Sequence, residues 1–340
     1  MIATIPQWRD EVDADEFEAA IGKLRTAIDQ EQTTVIAAHV MPDADSLGGV
    51  LALHLALAEA GVASVPVVGE ATSHLPGALA GLPGADQLRG VEVLPDPSVV
   101  ELLISVDAAS PERLGAVADY LDVGVSSIML DHHPSASAFG DASVIAPGAA
   151  ATVQVVVELL DALGLAITAD IASCLYAGLV TDTGRFAHAS TDAAVMMLAA
   201  RLISAGADHV GLNRQLYETR SLGELRLLGR ALERLTFVAD VGLVYTHLTR
   251  AELDAVDAGL ADTEGIVDLL RSVDDARVAV ALKPAPDGTW RVSMRARDDA
   301  DVGAIAQAFG GGGHTAAAGF SSAHDVEDIV DDIVAWLRAE

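Results

Sequence analysis

One cysteine, Cys174, stands in a chain of 340 residues, so no intramolecular disulfide and no cysteine-based metal site is expected. Its apolar helical surroundings assign it to the core. Aromatic residues are nearly as scarce at 4%, although 51% of the chain is hydrophobic. The core is therefore built from Ala, Val and Leu, which suits α/β layers better than a β-sandwich, whose strands draw on aromatic side chains. Basic residues are few: 20 Lys and Arg against 50 Asp and Glu leave a formal net charge of −30. Such a surface repels nucleic-acid polymers and excludes long duplex binding through a basic face. A small anionic substrate stays admissible where cations focus the field locally. Solubility is the ordinary service of such acidity, and a salty cytoplasm would also account for it. Residues 1–15 carry acidic groups and no long apolar run, which argues against a signal peptide. Later apolar stretches are broken by Pro147-Gly148 or by charges such as Arg201. No membrane span is expected, and a cytoplasmic location follows.

What is present is an alternation of short apolar runs and amphipathic segments. Strands are predicted over 35–38, 62–68, 102–106 and 127–130, and 88–94 is open to an extended reading. Helices are predicted over 17–28, 49–60, 152–163, 169–180 and 192–205, with Gly61 and Gly206 as stops. Ser110 and Pro111 mark a further helix start. This order implies an α/β first domain over 1–205, a doubly wound, mostly parallel sheet with helices on both faces. Residues 206–235 are rich in Leu, Arg, Glu and Asn and are taken as a helical linker. Strands over 241–248, 278–282 and 290–295 and helices over 251–258, 265–270, 302–309 and 326–337 predict a smaller α+β domain over 236–340, with a cleft between the two domains. Pro284-Ala285-Pro286-Asp287-Gly288 reads as a hairpin turn.

The chemistry concentrates where strands end. His39, Asp43 and Asp45 follow the first strand on a short turn into a helix. Open α/β sheets place ligands there, beyond the carboxyl ends of strands. Two carboxylates two residues apart repel unless a cation lies between them, and an imidazole adds a nitrogen donor suited to a transition metal. Asp107 ends the third strand, Asp131-His132-His133 ends the fourth, and Asp182 closes a helix. Each segment has an ordinary structural use: Asp45 or Ser46 as a helix cap, Asp107 as a strand-end cap, Asp182 as a turn residue before Gly184. Together they bring seven oxygen and nitrogen donors to one sheet edge, enough for two divalent metals, with Asp107 as the bridging carboxylate. Two metals about 3.5–4 Å apart can activate a water and stabilise the attacking and leaving oxygens in phosphoryl transfer.

The segments His39-x-x-x-Asp43-x-Asp45, Val106-Asp107-Ala108, Asp131-His132-His133 and Thr181-Asp182-Thr183-Gly184-Arg185-Phe186 resemble the four motifs of the DHH phosphoesterases. Gly310-Gly311-Gly312-Gly313-His314 resembles the glycine-histidine motif of the DHH-associated C-terminal domain. The match follows the family's order over nearly the whole chain. It looks most like the short two-domain members that degrade nanoRNA, dephosphorylate pAp and, in some cases, hydrolyse cyclic di-AMP and its linear product. The resemblance implies a first metal held by His39, Asp43 and Asp107 and a second held by Asp45, Asp107, His132 and Asp182. The metal is usually Mn²⁺ in this family, with Mg²⁺, Co²⁺ or Fe²⁺ as alternatives. His133 would orient the substrate phosphate or the nucleophilic water, and Asp131 would fix an imidazole in its ligating tautomer.

Arg185, Arg295, Gly312, Gly313 and His314 would contact the substrate. Arg295 would grip a phosphate and the glycines would present N–H groups to an anion. Family members usually carry Ser after that Arg; here it is Ala296, which removes one expected hydrogen bond, and Arg297 is an additional candidate. A homodimer is implied as well. Pyrophosphatases of the family carry a Lys/Arg-rich second domain and the long single-strand exonucleases carry extra domains, so both fit less well. A nucleotide sensor that kept the fold without catalysis is a further alternative. The remaining histidines, His54, His74, His188, His209, His247 and His324, are assigned to structure or surface, His188 being nearest to the active loops.

Overall fold

The computed structural model describes residues 7–72, 77–263, 265–297 and 300–339, without the side chains of Gln7, Ala261 and His314; His74 lies outside the described residues. The chain divides into two units, 1–219 and 220–340.

In the first unit, α1 (Ala14–Asp29) leads to β1 (Thr34–Ala38), α2 (Ala44–Glu59), β2 (Ser64–Val68), β3 (Leu102–Val106) and the short α3 (Asp119–Asp122). Then come β4 (Ser126–Asp131), β5 (Ala142–Ile145), α4 (Thr152–Leu163), α5 (Ala169–Asp182), α6 (Ala193–Ser204) and α7 (His209–Asn213). The strands form one sheet in the order β2-β1-β3-β4-β5, and every pairing is parallel. Strands buried on both faces need apolar residues at every position. Ile36 and Ala38 face the core shared with α1, α2, α4 and α5, while Val35 and Ala37 face the opposite side with Leu103, Leu114, Val117 and Tyr120. That opposite face is covered by a 3-10 segment, Pro111–Ala118, and by α3 rather than by long helices. Ser110 precedes the 3-10 segment without a side-chain capping bond. Residues 88–94 do not form a strand: Arg89 makes a single bridge to Val67, and Val91–Val93 is a 3-10 turn. The strand order reverses direction between β1 and β3, and such a switch point opens a crevice at the carboxyl ends of the two strands.

The helices of this unit approach closely through glycine. An added Cβ on Gly48 of α2 would lie 2.4 Å from the Cys174 carbonyl oxygen of α5. Cys174 is buried there, and burial raises its thiol pKa.

In the second unit, α8 (Leu222–Glu233), β6 (Thr236–Val238), β7 (Leu243–His247), α9 (Arg250–Asp254) and α10 (Ile266–Leu270) come first. They are followed by β8 (Val278–Pro284), β9 (Trp290–Ala296), α11 (Val302–Ala308), β10 (Gly312–His314), β11 (Ala317–Ser322) and α12 (Val326–Ala339). The six strands run β10-β11-β9-β8-β7-β6, with β7 and β8 parallel and the other pairs antiparallel. One face packs on α11 and α12, the other on α8, α9 and α10. The segment expected as a linker, 206–235, is thus divided. Tyr217 packs on the first core and donates to the Val180 carbonyl at 3.2 Å, whereas Leu227 and Ala231 of α8 belong to the second. Among the described residues no single helix is long and apolar enough to cross a membrane.

Glu252 ties α9 to α8. It accepts from Arg234 Nη2 at 2.9 Å and Nη1 at 3.1 Å, and from the Thr249 N–H and hydroxyl, both at 2.8 Å. The Arg234 guanidinium is the main cause that holds Glu252 down at about 2, against a smaller opposing effect of burial. A carboxyl depressed in the folded state stabilises above its unfolded pKa of about 4.3 and loses that contribution as pH falls through the folded value. Glu252→Gln is therefore expected to lower Tm at neutral pH, and the gap from the parent should narrow between pH 4.5 and pH 2. Paired thermal melts across that range check it; a gap independent of pH would refute the assignment.

Candidate metal centre

The turn after β1 places His39, Asp43 and Asp45 through ordinary helix chemistry. Asp43 is the N-cap of α2: its Oδ1 accepts from the N–H groups of Asp45 at 3.1 Å and Ser46 at 2.9 Å, and Ser46 reciprocates. Its Oδ2 points the other way and lies 3.7 Å from His39 Nε2. Cap and ligand candidate are thus the same carboxylate, one oxygen for each task. Asp45, in the first turn of α2, is fully buried, and its oxygens accept from Thr152 N at 2.6 Å and Val153 N at 3.0 Å. Those are the first two N–H groups of α4, whose own N-cap, Ala151, has no side chain to offer. A carboxylate at a helix N-terminus is favoured by both the unpaired N–H groups and the dipole.

Asp107 lies at the centre. It is 2% exposed, its backbone is left-handed at φ 61°, and its Oδ1 accepts from the Thr152 hydroxyl at 2.7 Å. Oδ2 lies 3.6 Å from His39 Nε2, while Oδ1 lies 3.8 Å from His132 Nε2 and 3.4 Å from His133 Nδ1. His132 Nε2 is also 3.3 Å from Asp182 Oδ2 at the end of α5. These separations exceed the usual N–H···O length of about 2.9–3.0 Å and suit donors that share a third centre. Three groups of donor atoms result, each within 4.8 Å: His39-Asp43-Asp107, Asp45-His132-Asp182 and Asp107-His132-His133. Imidazole nitrogens mixed with carboxylate oxygens fit a divalent transition ion.

The electrostatics point the same way. Burial opposes charge on His39, yet the Asp107 and Asp43 carboxylates raise it to about 10. Burial likewise opposes charge on His132 and His133, but Asp182, Asp45 and Asp107 raise the first to about 11, and Asp107 and Asp131 raise the second to about 9. Burial, then the Asp182 and Asp107 charges, drives Asp45 well above the usual carboxylate range. Burial and the neighbouring Asp43 and Asp107 lift Asp182 to about 6. Asp107 is held far below its ordinary value by its imidazole neighbours, although burial works against it. Clustered carboxylates of this kind call for positive charge.

Asp131 accepts from the His133 N–H at 2.6 Å and lies 3.0 Å from His133 Nδ1. It therefore sets the ring of His133, not that of His132, whose Nδ1 faces the Ala149 carbonyl at 3.1 Å. The expectation that Asp131 fixes a ligating imidazole is corrected on that point: a backbone carbonyl serves His132. His39 Nδ1 lies 2.8 Å from the Val40 carbonyl and 2.9 Å from Arg113 Nη2; when Nε2 ligates, Nδ1 carries the proton and gives it to the carbonyl, and the Arg113 contact is then not a hydrogen bond. Strain gathers here too. Met41, Asp107, Arg185 and Phe186 are four of the six described non-glycine residues with positive φ, and such strain is typical of functional loops.

Sequence reasoning missed Thr152 and Arg113. Thr152 carries only a helix-start signal, and its partners are distant in sequence. His188, assigned to structure or surface, contacts the Asp182 loop: its Nδ1 is 3.1 Å from the Asp182 carbonyl, and a Cβ on Gly184 would meet its ring at 2.2 Å. Arg185 stacks over Tyr217. The other expected substrate contacts lie in the second unit. Arg295 Nε donates to Asp268 Oδ1 at 2.8 Å. Arg297 is spent on the carbonyls of Arg271, Val273 and Asp274, which removes it as a free phosphate contact. The second half of the glycine run is strand: Gly312 and Gly313 lie in β10 with the backbone of His314, after a turn at Gly310. Gly313, at φ 140°, admits close approach of β11, since a Cβ would meet the Ala317 oxygen at 2.5 Å; Gly312 has open space around its Cα.

Comparison with known proteins meets this geometry. Residues 33–179 match the DHH family, N-terminal domain, and residues 253–339 match the DHHA1 domain. A bifunctional oligoribonuclease and PAP phosphatase, NrnA of Thermus thermophilus, is 34% identical over 308 residues, which span 90% of this chain and 89% of that one. This chain is a DHH-family phosphoesterase. As such it is a hydrolase acting on phosphoester bonds. A probable NrnA of Streptococcus mutans is 26% identical over 95% of this chain and 99% of its own. Among solved structures, an exopolyphosphatase-related protein from Bacteroides fragilis shares the fold of the DHH phosphoesterase, with a TM-score of 0.88 at 24% identity over 96% of this chain and 97% of that one. RecJ from Thermus thermophilus in complex with Mn²⁺ shares it more distantly, with a TM-score of 0.59 at 15% identity over 96% of this chain and 55% of that one.

Proposed function

We propose that this DHH phosphoesterase is a divalent-metal-dependent phosphodiesterase and exonuclease that hydrolyses short oligoribonucleotides and cyclic or linear di-AMP, with 3′-phosphatase action on pAp. The observation that carries the reading is Asp107, whose two oxygens face different imidazoles, so that one carboxylate serves two groups of donors. The relatives that bear the names oligoribonuclease and PAP phosphatase support the substrate class.

His39, Asp43 and Asp107 would hold one ion and Asp45, Asp107, His132 and Asp182 the other, with Mn²⁺ preferred for the mixed donor set. Bound ions supply charge that acidifies water and offsets the phosphoryl oxygens. The chain's own residues do the rest. His133, held through Nδ1 by Asp131, orients the phosphate and keeps a proton at Nε2 for the leaving oxygen. Asp182 and His188 shape the loop that carries Arg185 to the substrate. In the second unit, Arg295 exchanges Asp268 for a substrate phosphate, while Gly312 offers its open backbone. The protein acts as a homodimer in the cytoplasm in this reading.

Hydrolysis rates with Mn²⁺ on cyclic di-AMP, linear di-AMP, pAp and an RNA series from two to twenty-four nucleotides test the proposal. Dinucleotides are expected to turn over at least about tenfold faster than the longest strand, because the −30 surface repels long polymers. Equal rates at every length would reject it.

A further inference from the structure

Thr152 hydrogen-bonds two of the carboxylates in the metal centre through two different groups. Its hydroxyl donates to Asp107 Oδ1 at 2.7 Å and its backbone N–H donates to Asp45 Oδ2 at 2.6 Å. It is fully buried. The two bonds differ in kind. The N–H belongs to α4 and survives any substitution that keeps the helix, whereas the hydroxyl is the side chain's own contribution.

Asp107 needs such a bond. Its Oδ1 is the oxygen that faces His132 and His133, and a carboxylate with a free torsion would swing between them and His39. A donor on Oδ1 leaves that oxygen one lone-pair direction for an ion and fixes the other oxygen toward His39. We propose that Thr152 is a positioning residue, whose hydroxyl sets the rotation of Asp107 so that each of its oxygens serves a different ion, while its N–H holds Asp45 in register with it. The proposal rests on the reading of the donor groups as a paired metal centre. Outer partners of metal ligands of this kind change affinity or activity by about 10–100-fold when removed.

Thr152→Val is nearly isosteric, keeps the N–H bond to Asp45 and deletes only the hydroxyl. Titration calorimetry with Mn²⁺ on the full chain should show affinity reduced about 10–100-fold. Turnover on linear di-AMP should fall in kcat, with KM within twofold of the parent because Thr152 does not meet the substrate. Thr152→Ser, which restores the hydroxyl, should recover both. The proposal is overturned if the Val variant binds Mn²⁺ like the parent, or if the Ser variant loses as much as Val, since packing of the methyl group would then be what matters. Should Val not fold by circular dichroism, Thr152→Ala set against Thr152→Ser makes the same comparison. A parent that binds no divalent ion would sink the metal-centre reading itself, and this proposal with it. A parent that binds ions beside an unchanged Val variant sinks this proposal alone.

Discussion

Asp107→Asn is expected to remove hydrolysis almost entirely, by about 10³-fold or more in kcat, the several kcal/mol that bound ions contribute to phosphoryl transfer. Asn is the informative replacement. It tolerates the left-handed backbone at φ 61°, which Ala would adopt only with strain. It also keeps an oxygen for the Thr152 hydroxyl, so the fold is spared and the charge is lost. Without that charge, His39, His132 and His133 lose a carboxylate that all three share. Mn²⁺ affinity should collapse along with turnover, while nucleotide binding through the second unit persists. Kinetics and calorimetry on one preparation check both halves. A variant that hydrolyses within tenfold of the parent would remove Asp107 from the chemistry, and with it the two-ion scheme.

Gly178→Ala is expected to have the second-largest effect, and it separates packing from chemistry. A Cβ at 178 would sit 2.7 Å from Val153 Cγ1, 2.8 Å from Asp45 Oδ1 and 2.9 Å from Asp45 Cα. α2, α4 and α5 meet there, and none can yield without moving a carboxylate that holds the start of α4. Overpacking of this kind costs about 1–3 kcal/mol, about 2–12 °C in Tm for a unit of this size. Gly48→Ala is the control. Its Cβ would strike the Cys174 carbonyl oxygen, so it should destabilise comparably, yet it touches no carboxylate. Folded Gly178→Ala should lose kcat, whereas folded Gly48→Ala should keep most of it. Equal retention by both variants would show that Asp45 tolerates displacement.

The candidate ligands were legible because their residue types fall at the ends of apolar runs, where periodicity alone predicts a strand and topology then predicts a crevice. β1, β3 and β4 carry mostly apolar stretches, 35–38, Leu102–Val106 interrupted only by Ser105, and 128–130, that are buried on both faces. β5 was not legible: Ala142–Ile145 is four residues long at the sheet edge and begins just after Gly140-Asp141, so its composition resembles a loop. Both faces of the sheet were expected to carry helices, with one starting at Ser110, but Gly115, at φ 56°, breaks that segment. Cap and ligand looked like competing uses of the acidic turn after β1. The two uses coexist because a carboxylate has two oxygens, which no spacing rule records. Thr152 and Arg113 reach the centre through contacts across 45 and 74 positions, respectively, and local pattern does not reach that far.

The spread of the six proposed ligand residues from the end of β1 to the end of α5 has a consequence for synthesis. A nascent chain that has emerged as far as the middle of α5 carries every one of them except Asp182, and the helix that brings Asp182 to His132 is also the one against which α2 packs. The full set of proposed donors is therefore in place only once α5 has packed on α2. A ribosome in the middle of this message holds a phosphoesterase still short of one proposed donor.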